Sequence, residues 1–132
     1  DVISVNYYHR WTPEKERIEN WSSQAGKPIL ISEWYAMAED SDLPVEEFGA
    51  GFPVRTQADR AKFYQHFSLG LLQIPSCIGW HWFKYRDSRN NAGIIDEESE
   101  PYDILWESMG EINQRAYSLV HHYDHQRENK NE

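Results

Sequence analysis

The chain has 132 residues, a formal net charge of −9 and an aromatic content of 14%. This length suffices for one domain with its own core, and the excess of acidic groups argues against nucleic acid as a partner because a polyanion would be repelled. A single cysteine, Cys77, excludes an intrachain disulfide without fixing the compartment. No apolar run approaches the roughly 20 residues of a membrane span, so no membrane partner is predicted. Localisation stays open, and a secreted or periplasmic parent protein is compatible with the sequence.

The amino-terminal part of the chain predicts a βαβ unit. Residues 2–8 are β-branched and aromatic, which indicates a strand. Thr12 is predicted as the N-cap of a helix with Pro13 at its first position, and Gly26 is predicted to end that helix. Residues 28–32 form a second short apolar run, which indicates a parallel strand reached through the helical crossover.

The rest of the chain predicts two further helices and one strand. Residues 36–55 are rich in acidic residues, Gly and Pro and predict a long loop, and Thr56 is predicted to cap a helix that runs to about residue 73. Residues 77–83 predict the third strand, and Pro101 is predicted to open the last helix. These elements form one unit over residues 1–122, followed by a charged tail from 123 to 132 that is predicted to be disordered.

The order β-α-β-α-β-α predicts an α/β fold with a parallel sheet, either doubly wound or part of a (β/α)8 barrel. Gly-rich phosphate-binding fingerprints are absent from the sequence, which weakens a nucleotide-binding interpretation. In both architectures the loops at the carboxyl ends of the strands build the functional site. Those ends are Tyr7-Tyr8-His9, Ser32-Glu33-Trp34-Tyr35 and Trp80-His81-Trp82-Phe83-Lys84, and each of them is aromatic and carries a titratable group.

Glu33 is the main catalytic candidate. Taken alone, this carboxylate fits a surface or salt-bridged position at a strand end as well as it fits a nucleophile. Three aromatic strand ends that converge on one edge favour a site that binds sugar rings. Histidines such as His9 and His81 are more often structural than catalytic, and because no metal-ligand spacing is present, neither a metal nor another cofactor is predicted. Five polar residues in loops or at a helix start are candidates for contacts with sugar hydroxyls, but most of them are predicted to be ordinary surface charges: Arg55, Arg60, Asp87, Arg89 and Asn90.

Several segments resemble clan A glycoside hydrolases. The run Ile-Leu-Ile-Ser-Glu-Trp-Tyr at residues 29–35 is similar to the seventh strand of their (β/α)8 barrel. The runs at 52–64, 79–87 and 91–96 resemble the stretch through strand eight and its following loop in β-agarases and related β-galactosidase-like enzymes. The resemblance extends from about Asp1 to Tyr117. It implies a partial barrel, strands six to eight with their helices, from a retaining β-glycosidase that hydrolyses a β-linked galactan such as agarose.

The resemblance also implies roles for individual residues. Glu33 corresponds to the nucleophile, and either Tyr7 or Tyr8 corresponds to a hydroxyl that hydrogen-bonds it. Either Trp80 or Trp82 corresponds to the aromatic platform under the cleaved sugar, and Trp82 is favoured because it lies nearer the end of the strand. The other predicted substrate-binding residues are His9, Trp34, Tyr35 and Lys84.

One part of the catalytic machinery is missing from the sequence. In clan A the acid/base is a Glu that follows Asn at the end of strand four, and no Asn-Glu precedes Glu33. A complete barrel needs about 250 residues, and the chain opens on strand-like residues without an initiating Met. It is therefore predicted to be a fragment that is inactive alone and that pairs with an amino-terminal barrel half or with itself. The alternative interpretations are a non-catalytic carbohydrate-binding or assembly module and a small stand-alone α/β domain with no role on sugars.

Overall fold

Two parallel sheets form the framework of the described part of the protein. The computed structural model describes residues 1–45 and 49–129. In the three-stranded sheet the spatial order of the strands follows their order along the chain, and the two short strands of the second sheet pair with each other. The strands are β1 (Ile3–Asn6), β2 (Ile29–Glu33), β3 (Ala36–Ala38), β4 (Phe52–Val54) and β5 (Cys77–Trp80), with the sheet orders β1-β2-β5 and β3-β4. The predicted α/β fold with parallel strands is confirmed.

Two helices lie in the connections between the strands of the main sheet, and a third helix forms the carboxyl-terminal end of the fold. The helix α1 joins β1 to β2, α2 precedes β5, and α3 packs closely on α2. Among the described residues, none of the helices combines the length and apolarity that crossing a bilayer requires. The helices are α1 (Lys15–Ala25), α2 (Gln57–Leu72) and α3 (Asp103–Glu128).

The core lies between the main sheet and the helices. Ile29 and Ile31 of β2 are fully buried in one cluster with residues from all three helices, including Ile18, Phe67 and Leu105. Side chains alternate between the two faces of a strand, so the helices pack on the face that carries the two isoleucines.

The opposite face of the main sheet is open. Ser4 and Asn6 of β1 are exposed, while the alternate residues Ile3 and Val5 pack against the core. The residues that the structure describes therefore do not cover this face of β1.

Some predicted boundaries need correction. The helix α1 begins at Lys15 with Glu14 as its N-cap, because the hydroxyl of Thr12 is hydrogen-bonded to His66 Nε2 at 2.8 Å and does not cap the helix. The prediction for Thr56 is confirmed, since its side chain accepts a hydrogen bond from the backbone N–H of Asp59.

Other differences concern loops and ends. The predicted loop at 36–55 contains β3 and β4, and its residues 46–48 lie outside the described part of the chain. The third main strand ends at Trp80, three residues before the predicted end. The helix α3 continues to Glu128, through most of the tail that was predicted to be disordered, and residues 130–132 lie outside the described part.

Candidate active site

Glu33 is the last residue of β2, the central strand of the main sheet. Its half-buried carboxylate accepts a hydrogen bond at Oε2 from the hydroxyl of Tyr8. Burial, together with the hydrogen bond and the negative charge of Glu33, raises the pKa of Tyr8. The phenol therefore stays protonated at neutral pH and acts as a donor. Among residues 1–45 and 49–129, Tyr8 is the only side chain that hydrogen-bonds this carboxylate.

Tyr7 points to the other face of the sheet. Its hydroxyl donates to Glu14 Oε2 at 2.7 Å and accepts from the backbone N–H of the same residue at 2.9 Å. Its ring makes edge contacts with Trp21 and Phe67 in the core. Burial, followed by the hydrogen bond to Glu14, raises the pKa of Tyr7 to about 12. Of the two tyrosines predicted as partners of Glu33, the structure places Tyr8 on the carboxylate and Tyr7 in the core.

Trp34 is fully buried, although it directly follows Glu33. Its ring stacks on Phe67 with centroids 4.5 Å apart and on Tyr64 with centroids 5.4 Å apart. A fully buried side chain offers no surface to a sugar. The prediction that Trp34 binds substrate is therefore corrected, because its indole completes the core between the sheet and α2.

The two indoles of the third strand share one face, as the two-residue period predicts. Trp80 Nε1 donates to the hydroxyl of Tyr64 at 3.1 Å, and the ring of Trp82 also contacts Tyr64. Trp82 Nε1 donates to the carbonyl oxygen of Ala92 at 2.7 Å. Both indoles contact α2, and Trp82 also contacts the loop after β5 and the cluster that contains Tyr8. Both side chains are half-buried, and their role as a sugar platform stays a prediction. His81, between them, is exposed.

Phe83 is the aromatic residue that sequence reasoning missed. It is half-buried, its ring lies 5.4 Å from that of Tyr35, and it joins Tyr8 in a small apolar cluster separate from the main core. The two-residue alternation that groups Trp80 with Trp82 also places Phe83 on the other side. This alternation was present in the sequence and would have separated Phe83 from the two indoles.

Two of the predicted polar residues lie on the accessible side of this cluster. His9 is exposed, has a positive φ of 60°, and its ring centroid lies 6.4 Å from that of Tyr8. Lys84 is half-buried, and its Nζ lies 5.8 Å from the centroid of the Phe83 ring and donates to the carbonyl oxygen of Ser88 at 3.3 Å. His9 thus lies near the ring of Tyr8, and Lys84 lies near the ring of Phe83.

Tyr35 is only 3% exposed and is covered by two loops. Its hydroxyl accepts hydrogen bonds from the backbone N–H of Ala50 at 3.1 Å and from Asn90 Nδ2 at 3.3 Å. Its ring meets that of Tyr8 edge to face at 5.8 Å. The prediction that Tyr35 touches substrate is corrected, because the ring lies behind Tyr8 and beneath the loops.

Arg60 forms the centre of a buried polar network that supports the loop after β5. It is fully buried and donates to the carbonyl oxygens of Ala36 at 2.9 Å and Gly93 at 2.6 Å and to Gln57 Oε1 at 2.8 Å. Burial lowers the pKa of Arg60 to about 10, and the charge of Asp87 acts in the opposite direction. The guanidinium is thus charged at neutral pH. The prediction that counts Arg60 among the surface charges is therefore wrong.

Asp87 belongs to the same network and is only 3% exposed. Its Oδ2 accepts from the hydroxyl of Tyr102 at 2.6 Å and from Asn91 Nδ2 at 2.9 Å, and its Oδ1 accepts from the backbone N–H of Gly93. These bonds close the segment from Asp87 to Tyr102 on itself, so the prediction of a surface charge is wrong here too. No group of three or more His, Cys, Asp or Glu residues suited to a metal ion occurs in the described part of the chain.

The comparisons with known proteins agree with an agarase-like chain. No family model matches the sequence. The chain is 32% identical to Beta-agarase B from Vibrio sp. (strain JT0107), over 90% of its own length and 13% of that protein. The crystal structure of BpGH50 matches 94% of the chain with a TM-score of 0.89 and 44% identity, and the match covers 27% of that protein. An exo-beta-agarase matches 91% of the chain with a TM-score of 0.78 and 28% identity, and the match covers 17% of it.

The chain is therefore similar in sequence and in fold to β-agarases, which supports a relationship to glycoside hydrolases. It spans between 13% and 27% of the length of these relatives.

Proposed function

We propose that this chain is the part of a (β/α)8 barrel that contains strands six to eight, from a retaining β-glycosidase that hydrolyses an agarose-like β-linked galactan. Glu33 is the proposed nucleophile. The observation that carries this proposal is the Tyr8–Glu33 hydrogen bond at the carboxyl end of the central parallel strand, in a chain 44% identical to BpGH50.

The arrangement of strands and helices supports a barrel segment. In a doubly wound sheet the strand order reverses at one point and helices cover both faces. Here the strand order β1-β2-β5 follows the sequence, and the helices pack on the face that carries Ile29 and Ile31. The opposite face, with Ser4 and Asn6, is open. Sequential parallel strands with helices on one face are what a barrel wall requires.

In the proposed mechanism the carboxylate of Glu33 attacks the anomeric carbon and forms a glycosyl-enzyme bond. The Tyr8 hydroxyl holds Oε2 by hydrogen bonding and leaves Oε1 as the attacking atom. A second carboxyl group, roughly 5–5.5 Å from the first in a retaining site, protonates the leaving oxygen and then activates the water that releases the sugar. This acid/base lies outside the chain. The isolated chain should hydrolyse little or nothing, because a missing general acid costs on the order of 10²–10⁴-fold in rate.

The proposed sugar contacts lie on the same side as Tyr8. The ring of Phe83, which packs in the same cluster as Tyr8 and Trp82, supplies an apolar surface on which a pyranose ring stacks. His9 and Lys84 flank that ring and its neighbour Tyr8, and they supply hydrogen bonds to sugar hydroxyls.

The proposed macromolecular partner is the amino-terminal part of the barrel. The strand β5 lies at the edge of the main sheet, so one side of its backbone is open to a further strand. A groove of about 700 Å³ runs along it and is lined by residues that include Cys77, Ile78 and Trp80 of β5 and Ala116, Tyr117 and Val120 of α3. Ile78 is 61% exposed and Tyr117 86% exposed. In the absence of that partner, self-association would cover the same surface.

A chimeric enzyme tests the proposal. Residues 1–132 replace the matching segment of BpGH50, and turnover of agarose oligosaccharides is measured. The chimera should be active, and Glu33→Gln should lower kcat on the order of 10⁴-fold or more while sugar binding remains. The matched control is Glu39→Gln, which removes an exposed carboxylate just after β3 and should leave kcat unchanged.

Two results would contradict the proposal. Turnover by the Glu33→Gln chimera at the unsubstituted rate would exclude Glu33 as the nucleophile. An inactive chimera, together with oligosaccharide binding by the isolated chain that survives Glu33→Gln, would favour the non-catalytic carbohydrate-binding module. That alternative is motivated by the single carboxylate found at the site.

A further inference from the structure

We infer that Tyr35 is a positioning residue for Glu33 and that it acts through Tyr8. Tyr35 does not contact the carboxylate; it fixes the ring whose hydroxyl does. The inference rests on the proposed role of Glu33 for its catalytic consequence, but its structural part can be tested without any activity.

The first step of the argument is the position of Tyr35 between the site and two loops. Its ring stands at 89° to the ring of Tyr8, with centroids 5.8 Å apart. Its hydroxyl, at the far end of the same ring, accepts from Ala50 of the loop before β4 and from Asn90 of the loop after β5. One side chain thus connects both loops to the residue that holds Glu33.

The second step is how closely the loop before β4 packs on this ring. A Cβ at Gly51 would lie 2.3 Å from Cε2 of Tyr35, and a Cβ at Gly49 would lie 2.2 Å from its hydroxyl oxygen. Gly49 also has a φ of 116°, which a residue with a side chain rarely adopts. Only glycine fits at either position without moving the ring. The loop before β4 therefore packs directly on the Tyr35 ring and restricts its movement.

The third step concerns what Tyr8 would do without this support. The phenol of Tyr8 belongs to the small cluster of Tyr35, Met37 and Ala92 and not to the main core. Among the buried members of this cluster, Tyr35 is the one whose ring meets the ring of Tyr8 edge to face, so it contributes directly to the orientation of the phenol. If Tyr35 shifts, the Tyr8 hydroxyl and the Oε2 atom that it holds lose their fixed geometry, and a misplacement of about 1 Å at a reacting group can cost on the order of 10²-fold in rate.

The structural test uses the full 132-residue chain and proton NMR. The hydroxyl proton of Tyr8, bonded to a carboxylate, should give a low-field resonance that Tyr8→Phe removes. Tyr35→Phe deletes the two accepted hydrogen bonds, and Gly51→Ala pushes on the ring from the loop. Both should shift or broaden the Tyr8 resonance at a temperature where circular dichroism shows that each variant is folded. The control Tyr85→Phe, at a side chain 65% exposed, should leave it unchanged.

The catalytic test uses the BpGH50 chimera. Tyr35→Phe should lower kcat on the order of 10-fold to 100-fold and change KM less than about twofold, since the reacting geometry is disturbed and the sugar contacts are not. An unchanged Tyr8 resonance in both variants would overturn the inference, and so would an altered resonance with an unchanged kcat. Failure of the proposed function is a separate result, because it would appear as an active Glu33→Gln chimera.

Discussion

The hydroxyl of Tyr8, two residues beyond the end of β1, donates a hydrogen bond to Oε2 of Glu33, the last residue of β2. The bond therefore crosses between neighbouring parallel strands at their carboxyl ends. Because the pKa of Tyr8 is raised, the donor keeps its proton well beyond neutral pH. A carboxylate held in this way has one oxygen fixed and one free for reaction.

Removal of this donor should mainly affect catalysis. Hydrogen bonds to charged groups contribute about 1.5–3 kcal/mol, so Tyr8→Phe should lower kcat of the BpGH50 chimera on the order of 10-fold to 100-fold. The matched control is Tyr7→Phe, one residue earlier on the opposite face, which should leave kcat within about twofold and lower Tm instead. The measurement is steady-state kinetics with agarose oligosaccharides. A loss of kcat in Tyr7→Phe with an unchanged kcat in Tyr8→Phe would mean that Tyr7, and not Tyr8, supports Glu33.

The pair of Tyr7 and Glu14 should make stability fall in acid. The hydrogen bond from Tyr7, assisted by the charges of Arg10 and Arg17, holds the pKa of Glu14 below its usual 4.5. A group whose pKa is lowered by folding stabilises the folded state above its unfolded pKa, and this contribution is lost as pH falls through the folded pKa. Tm should therefore decrease from about pH 6 to about pH 3, and the decrease should be smaller in Tyr7→Phe. Identical slopes for both proteins would refute the coupling.

Much of the framework could be predicted because it depends on local patterns. Thr56 caps its helix through a short-range hydrogen bond, and the strand that ends at Glu33 is bounded by a clear apolar run. The choice between Tyr7 and Tyr8 also had a local signal, since the alternation that buries Ile3 and Val5 includes Tyr7. The predicted strand at residues 2–8 contains both tyrosines, and its two-residue period groups Tyr7 with Ile3 and Val5 and places Tyr8 on the opposite face.

The rest depends on contacts between distant segments. Nothing near Arg60 in sequence reveals that Ala36 and Gly93 will place carbonyl oxygens around it. The strands β3 and β4 have three residues each, too few for a periodic pattern, and they exist because they pair with each other. Trp34 adjoins Glu33 in sequence, but its side chain packs in the core, and no local pattern distinguishes the two positions.

The buried guanidinium of Arg60 should be a major source of stability. Arg60→Met would leave the carbonyl oxygens of Ala36 and Gly93 without their donor and Asp87 without a nearby positive charge. Breaking such a buried charged network costs roughly 3–5 kcal/mol. Urea denaturation should show this loss in the free energy of unfolding, while the exposed control Arg55→Met should change it by less than about 0.5 kcal/mol. Similar small effects in both variants would show that the network contributes little.

Two glycines provide a matched test of the loop after β5. A Cβ at Gly93 would lie 2.3 Å from the backbone nitrogen of Asp87 and 2.5 Å from the carbonyl oxygen of Ile95, whereas a Cβ at Gly110 would meet nothing within 4 Å. Gly93→Ala should therefore destabilise the protein by about 1–3 kcal/mol because backbone must move. Gly110→Ala, within α3, should stabilise it by roughly 0.5–1 kcal/mol. Thermal denaturation should show a lower Tm for Gly93→Ala and a higher Tm for Gly110→Ala. A stabilised Gly93→Ala variant would mean that this loop is not packed as described.

The exposed edge of β5 should control association of the isolated chain. Ile78 is 61% exposed beside the unpaired side of that strand and next to the groove that also contains Tyr117. A lysine at a sheet edge opposes strand addition, because its charge would have to be buried. Light scattering should therefore show self-association of the unsubstituted chain and a monomer for Ile78→Lys.

The control is Ile104→Lys, which introduces the same charge on α3 at a side chain that is 53% exposed but lies outside the groove. This variant should associate as the unsubstituted chain does. A monomeric unsubstituted chain would rule out self-association through this edge, and a monomeric Ile104→Lys would attribute the effect to net charge.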